Sequence, residues 1–316
     1  FMVSKKIREI FFLIFRIIFS FLILFFIFKR LDLNYFFEGL KEINYFYFFI
    51  SFIFYWITLF FLSLRWKILL NPFLTKKISI FEIFKVYMLG MLINIITPAT
   101  AGVDISRGFI LSKYTESKAK GFASVLVDRI TGMIGIFIIA SFFLIFSFKE
   151  NKKIFFIILI FLILSIVSLI FFYIPFIKRF LERFMKNKIL EKISKFYNAM
   201  YLYKNETDLV FYSLLLAIPV QIFFSFTAFF ISKSLNLEGN IFLFLSFVPI
   251  INALNVIPFA ISGFGIREAG FLIFFKKYFP YERIILVSIF YWFVCAFGNI
   301  PALYYLFKNP LKKEEI

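Results

Sequence analysis

The sequence predicts an all-α integral membrane protein that crosses the bilayer several times. Of its 316 residues, 62% are hydrophobic and only 17% are charged, whereas a soluble domain keeps roughly a quarter of its residues charged. The mean hydropathy is +0.94. The hydrophobic residues also fall in runs of about 20, the length of helix that crosses a hydrocarbon core about 30 Å thick. We therefore expect one membrane domain over residues 1–316.

Composition also excludes several kinds of site and partner. The chain has no His and a single Cys, Cys295, which excludes an internal disulfide and every His-dependent zinc site or catalytic triad. We assign no catalytic residue, metal or cofactor. A net charge of +18 is compatible with nucleic acid binding, but basic residues of membrane proteins gather on cytoplasmic loops and contact anionic lipids. Because no nucleic-acid-binding module is present, we expect membrane lipids with anionic headgroups as partners.

Eight apolar segments are present, and six of them are long enough to span a membrane. The first follows a basic flank and lacks a small-residue cleavage site, so we expect a retained helix rather than a signal peptide. The six predicted spans are 10–28, 46–64, 121–147, 154–174, 208–231 and 284–307.

The other two apolar segments, 80–97 and 241–257, are predicted to be broken or re-entrant helices. In each, an Asn precedes a Pro, a Gly follows it, and an Arg lies nine residues after the Pro. Pro removes a backbone donor and Gly weakens the remaining helix. Matching interruptions are typical of transporters with inverted repeats, although two ordinary loops could share this order. The helix-break residues are Asn94, Pro98 and Gly102 in the first segment, and Asn255, Pro258, Gly263 and Gly265 in the second.

The distribution of Lys and Arg favours re-entry over full crossing. If each broken segment returns to its own side, 21 basic residues lie in loops on the inner side and 10 on the outer side, as the positive-inside rule requires. Full crossing with the N-terminus inside reverses this bias. We therefore expect a prokaryotic cell-membrane protein with both termini in the cytoplasm, and two hairpins that enter from opposite sides.

Residues 175–207 form a basic connector on the predicted cytoplasmic side. Eight Lys and Arg residues alternate there with Phe and Ile side chains. This pattern is typical of an amphipathic helix on anionic headgroups; a solvated loop is the alternative.

Six charged residues lie in or beside the apolar segments, where each charge costs roughly 2.5–3.5 kcal/mol at the bilayer centre. Either they form structural ion pairs, or Arg107, Arg267 and Arg129 bind a lipid phosphate while the carboxylates hold them in place. Residues three apart share a helix face, so Asp104 should pair with Arg107. Adjacent residues do not, so Arg267 and Glu268 should contact different neighbours. The three supporting carboxylates are Asp104, Asp128 and Glu268.

Four segments together resemble the transmembrane, flippase-like domain of the lysylphosphatidylglycerol synthase family: 94–111, 123–132, 261–269 and 298–301. Val103 departs from the pattern, since many relatives have Gly there. The resemblance implies a multi-pass protein that moves lipids, such as aminoacylated phosphatidylglycerol or polyprenyl-phosphate sugars, between leaflets. Bifunctional relatives add a soluble lysyltransferase domain. No polar block here exceeds about 33 residues, too few for a catalytic core, so we expect any lipid modification to come from a separate enzyme.

Two other functions remain open. One is a membrane-embedded transferase acting on lipid-linked sugars or prenyl phosphates, but such enzymes usually hold a diphosphate through an acidic metal motif, which this sequence lacks. The other is an ion or small-solute transporter, a class in which inverted repeats are common. The sequence favours a lipid flippase or scramblase.

Overall fold

A computed structural model describes residues 15, 18–95, 97, 101–112, 114–171, 197–254 and 263–308. Within these ranges the chain forms helices and no β strand, which confirms the predicted all-α class. The helices are α1 (Ile18–Phe28), α2 (Leu33–Lys41), α3 (Tyr45–Leu70), α4 (Ile80–Asn94), α5 (Ala101–Ser112), α6 (Lys118–Leu144), α7 (Phe148–Phe171), α8 (Thr207–Ser234), α9 (Ile241–Leu254), α10 (Ile266–Phe275), α11 (Tyr281–Phe297) and α12 (Pro301–Lys308).

Five helical segments of the described chain are long and apolar enough to cross a membrane, and each contains or overlaps a predicted span. They are Tyr45–Phe73, Lys118–Leu144, Asn151–Phe171, Thr207–Ser234 and Tyr281–Tyr304. The chain is therefore a polytopic membrane protein. Of the first predicted span, 10–28, the described part is essentially α1. Most of the predicted connector, residues 175–196, lies outside the described residues.

Helices α4 and α5 form hairpin 1, in which the chain reverses direction after Asn94. A helix of 15 residues such as α4 is about 22 Å long, shorter than the hydrocarbon core. The two helices approach closely, because a Cβ atom on Gly90 would lie 3.1 Å from the Cα of Val103. At the tip, a Cβ on Gly102 would lie 3.0 Å from the Cα of Asn94. The predicted break is therefore a tightly packed helical hairpin.

Helices α9 and α10 form hairpin 2 in the same way. The rings of Phe247 and Phe274 stack with centroids 5.1 Å apart, and Gly270 packs against Ile251. The chain enters α10 through Gly263 and Gly265, whose φ angles are 75° and 85°. Both lie in the left-handed region that only glycine adopts easily.

The loops meet at two ends of the bundle. One end, which we name the lysine end, contains Lys67, Lys76 and Lys77. There Leu74 pairs with Thr115, and the Tyr203 hydroxyl donates to the carbonyl of Leu69. These contacts join loops 71–79, 114–117 and 202–206. At the opposite end, Asn44 N–H donates to the carbonyl of Ser234. Loops predicted to share a side of the membrane therefore share an end of the bundle.

The two hairpins start from opposite ends and belong to two similar units. Each unit is a span, a hairpin and a second span: α3, hairpin 1 and α6, then α8, hairpin 2 and α11. Helix α3 runs toward the lysine end and α8 runs away from it. The two pack along their length, with the ring of Phe54 stacked 4.9 Å from that of Phe230 and 5.2 Å from that of Phe226. This is the predicted inverted arrangement.

Candidate functional site

The tips of the two hairpins meet at a central cavity of about 240 Å³. Asn94 and Ile95 line it from hairpin 1, and Gly263 and Arg267 line it from hairpin 2. The four spans of the two units complete the wall with residues near their middles, so the cavity lies deep within the bundle. The lining residues used below are Tyr55 and Leu62 on α3, Met91 on α4, Gln221 on α8, Asn252 on α9, and Tyr291 and Cys295 on α11.

Several polar groups of this wall lack partners. The Oε1 atom of Gln221 and the Nδ2 atom of Asn252 are buried and have no hydrogen-bond partner among the described residues. Asn252 accepts from the Tyr291 hydroxyl through its other amide atom, at 3.1 Å. An unsatisfied buried polar atom costs about 1–3 kcal/mol. Two residues that line the cavity therefore each keep one buried polar atom without a protein partner, which favours a polar ligand or water there.

Arg267 is the charged residue of the cavity wall, and it is 4% exposed. Its Nη2 atom lies 2.7 Å from Glu268 Oε1, and its Nε donates to Ser288 on α11 at 3.4 Å. The other oxygen of Glu268 accepts from Gly265 N–H at 2.6 Å. The expectation that Arg267 and Glu268 contact different neighbours is therefore wrong. Their long side chains bend toward each other at the start of α10, where the carboxylate also caps the helix.

Arg107 lies in a second ion-pair group, made by α3, α4, α5 and α6. It is 2% exposed, and its guanidinium pairs with Asp104 at 2.7 Å and with Asp128 at 2.8 Å. The Tyr87 hydroxyl accepts a further bond from it at 2.7 Å, and the ring of Trp66 lies 4.9 Å from its central carbon. The predicted pairing of Asp104 with Arg107 is confirmed.

Two more arginines belong to this group. Arg129 pairs with Asp104, and Arg65 donates through Nε to Asp128 at 2.7 Å. Three guanidinium groups thus contact two carboxylates. The side chains of Arg129 and Asp104 are 30% and 20% exposed, whereas those of Arg65 and Asp128 are 5% and 1% exposed. Arginines and aspartates therefore alternate from the partly exposed Arg129 to the buried Arg65.

The Arg107 group lies close to the cavity, although Arg107 does not line it. Trp66 and Tyr87 contact Arg107, whereas Leu62 and Met91 line the cavity. Each pair of positions is one helical turn apart, about 6 Å along the helix axis. The predicted arginines thus form two neighbouring groups instead of one shared phosphate site.

The two arginines occupy equivalent positions of the two units. Arg107 contacts Asp128 on the span after hairpin 1, and Arg267 contacts Ser288 on the span after hairpin 2. Both separations are 21 residues. The first unit has a carboxylate where the second has a hydroxyl, and Glu268 supplies the missing charge from within α10.

The helix-break residues contribute to the tips. Asn94 lines the cavity, Gly102 allows the close approach in hairpin 1, and Gly263 and Gly265 form the turn into α10. Pro98, Asn255 and Pro258 lie outside the described residues.

Comparison with known proteins covers both units. The family model for the lysylphosphatidylglycerol synthase TM region matches residues 13–302. The chain belongs to this family. A UPF0104 membrane protein of Methanocaldococcus jannaschii is 27% identical over an alignment of 239 positions, which covers 69% of this chain and 70% of that relative.

Three polar residues of this family member give little signal in the sequence. Arg65 directly follows the predicted span 46–64, a position typical of a loop. Gln221 and Asn252 are neutral and lie inside apolar segments, so hydropathy gave no signal for them. An amide within a membrane span is itself unusual enough to mark a candidate, since spans avoid unsatisfied polar groups.

Proposed function

We propose that the protein transports a phosphate-bearing lipid between leaflets by passing the headgroup through the central cavity. The substrate class is an anionic, aminoacylated or polyprenyl-phosphate-linked lipid. The observation that carries this proposal is the cavity between the two hairpin tips, with a guanidinium and two unpartnered amide atoms on its wall. A volume of about 240 Å³ holds a compact headgroup, whereas the acyl chains stay in the surrounding hydrocarbon.

In this proposal Arg267 binds the phosphate and the amides of Gln221 and Asn252 orient the rest of the headgroup. Arg presents several donors in a planar fork, which suits phosphate oxygens. One edge of Arg267 is held by Glu268 and Ser288, so the guanidinium is fixed before the lipid arrives. Both atoms are buried in this conformation, so each amide turns toward the cavity when the ligand binds. A ligand amine or hydroxyl then satisfies Gln221 Oε1, and a phosphate or carbonyl oxygen satisfies Asn252 Nδ2.

Arg107 and Arg129, which the sequence predicts to bind the phosphate, have other roles in this proposal. Arg107 is already bound by two carboxylates and a tyrosine hydroxyl, so it stabilises the wall behind the cavity. Arg129 is partly exposed, so it is the arginine of this group that an approaching anionic headgroup meets first. Asp104 bridges Arg107 and Arg129, and Asp128 pairs with Arg107, so the two carboxylates hold these arginines in place.

The lysine end faces the cytoplasm in this proposal, because the positive-inside rule places basic loops there. Single Cys substitutions at Thr75 and at Asn240, made with Cys295→Ala, test this in intact cells. A membrane-impermeant thiol reagent should label position 240 only. Labelling of position 75 in place of position 240 would show that the lysine end faces the outside of the cell, which is the opposite orientation.

Translocation is tested with purified protein in vesicles of phosphatidylcholine that contain headgroup-labelled phosphatidylglycerol. Arg267→Gln should slow translocation by about 10- to 150-fold, because a hydrogen bond to a charged group is worth about 1.5–3 kcal/mol. Arg283→Gln is the matched control, since Arg283 pairs with Glu42 at 2.6 Å but does not line the cavity. Equal rates for the wild type and Arg267→Gln would refute the proposal.

A small zwitterionic solute is a second candidate substrate. Arg267 and Glu268 neutralise each other, so this ion pair adds no net charge to the site, and the cavity of about 240 Å³ has the size of such a solute. Thermal stabilisation by a free amino acid, absent in Arg267→Gln and accompanied by no lipid translocation, would favour this candidate.

A further inference from the structure

A basic pocket lies on the seam between α3 and α4 at the lysine end. It has a volume of about 510 Å³ and is formed by the end of α3 and the loop that leads to α4. Lys67, Lys76 and Lys77 line it together with Asn71 and Thr75, and none of its lining residues is acidic. The three lysines have no ion-pair partner among the described residues.

An apolar groove lies on the same seam, nearer the middle of α3. It has a volume of about 300 Å³ and is lined by Ile53, Trp56, Ile57 and Phe60 on α3 and by Ile80, Phe81 and Phe84 on α4. Several of these side chains are open to the surroundings, since Trp56 is 43% and Phe81 is 70% exposed. In a membrane this groove faces lipid.

The pocket and the groove lie on one face of α3. Positions 53, 57, 60, 67 and 71 are separated by four, three, seven and four residues, spacings that keep side chains within one stripe of an α-helix. Phe60 and Lys67 are seven residues apart, about 10 Å along the axis. A cationic pocket above an apolar groove at this spacing has the dimensions of a phospholipid headgroup and the first part of its acyl chain.

We propose that this seam is a binding site for an anionic glycerophospholipid that stays bound to the protein. The phosphate lies among Lys67, Lys76 and Lys77, and one acyl chain lies along Trp56, Phe60 and Phe84. This site is distinct from the central cavity, which is lined by other residues, and it goes beyond the transport proposal. An anionic headgroup is favoured over a neutral one, because three ammonium groups and no carboxylate line the pocket.

The three lysines determine how much more tightly the site should bind an anionic lipid than an uncharged one. A basic residue near an anionic headgroup contributes about a five-fold gain in affinity, so three lysines contribute about 100-fold. Uncharged or zwitterionic lipids lose most of this gain. The apolar groove adds a contribution that a soluble phosphate compound cannot obtain.

The experiment is native mass spectrometry of the full chain, extracted from vesicles that mix phosphatidylglycerol and phosphatidylcholine. The wild type should retain phosphatidylglycerol. Lys67→Gln/Lys76→Gln/Lys77→Gln should retain about 100-fold less, whereas the matched triple Lys152→Gln/Lys153→Gln/Lys276→Gln should retain as much as the wild type. Lys152, Lys153 and Lys276 are exposed and lie away from the seam.

Two further variants separate this site from its alternatives. Ile57→Trp fills the groove without removing charge and should also reduce the bound phosphatidylglycerol, whereas Arg267→Gln should not. Retention of the lipid by both seam variants would overturn the proposal. So would displacement of the lipid by inorganic pyrophosphate with no effect of Ile57→Trp, which would show a soluble-anion site. Loss of the lipid in Arg267→Gln, with full retention in the triple lysine variant of the seam, would place the retained lipid in the central cavity and would also overturn the proposal.

Discussion

Asp128 joins two buried guanidinium groups, so Asp128→Asn should strongly destabilise the fold. The carboxylate is 1% exposed and lies 2.7 Å from Arg65 Nε and 2.8 Å from Arg107 Nη1. Asp104 still pairs with Arg107 in the variant, but Arg65 loses its carboxylate. Removing one partner of a buried ion pair costs about 3–5 kcal/mol, because the other charge stays desolvated and uncompensated. We expect a loss of this size in the free energy of unfolding.

Equilibrium unfolding in mixed micelles measures this loss, with Trp fluorescence as a probe. Trp66 is well placed for this, because its indole N–H donates to Ser124 at 3.1 Å and its ring contacts Arg107. Glu116→Gln is the control, since Glu116 pairs with Lys120 on the surface at 53% exposure, and exposed pairs contribute less than about 1 kcal/mol.

A second substitution sharpens the test. Adding Arg65→Met to Asp128→Asn should recover part of the lost stability, because the uncompensated guanidinium is removed as well. If Asp128→Asn lowers stability no more than Glu116→Gln does, then these charges are not buried together and the account of the Arg107 group is wrong.

Two further predictions concern packing and the cavity wall. A Cβ on Gly135 would lie 2.4 Å from the Cβ of Ala217, so Gly135→Ala should cost about 1–3 kcal/mol by overpacking the α6–α8 contact. The double variant Gly135→Ala/Ala217→Gly should recover most of that cost in the same unfolding measurement, and no recovery would contradict the contact. The amide of Asn299 is buried and donates to the Tyr55 hydroxyl at 2.7 Å. Asn299→Ala should cost about 1–3 kcal/mol. Because the Tyr55 hydroxyl also donates to the carbonyl of Cys295 at 3.0 Å, unchanged stability would show that this second bond is sufficient and would contradict the prediction.

The two units share a plan but differ in how they hold their arginines. In the first unit two carboxylates, a tyrosine and a tryptophan surround Arg107, so little of its guanidinium is available to a ligand. In the second unit one carboxylate and a serine hold Arg267 at the edge of the cavity. The two hairpins are structurally similar, but only the arginine of the second unit lies at the cavity. The candidate site is therefore asymmetric although the two units share one plan.

Much of the candidate site could be predicted because its signals are local. The matching Pro, Gly and Arg positions indicated both helix breaks and the inverted arrangement of the hairpins. The spacing of Asp104 and Arg107 predicted their ion pair, since a helix places residues three apart on one face. The same rule failed for Arg267 and Glu268, because side-chain length and the open start of α10 allow adjacent residues to meet.

The sequence by itself determined that this protein lies in a membrane and where its helices are. Apolar run length and charge distribution are local properties, and they decided that the chain lies in a membrane and where it crosses. Only the tertiary structure decided which residues face one another. In the most apolar window of Lys118–Leu144, 72% of residues are buried, against 6% in Asn151–Phe171. Lipid and protein interior are both apolar, so hydropathy cannot tell these surroundings apart, and the partners of Arg65, Gln221 and Asn252 emerge only when distant helices pack.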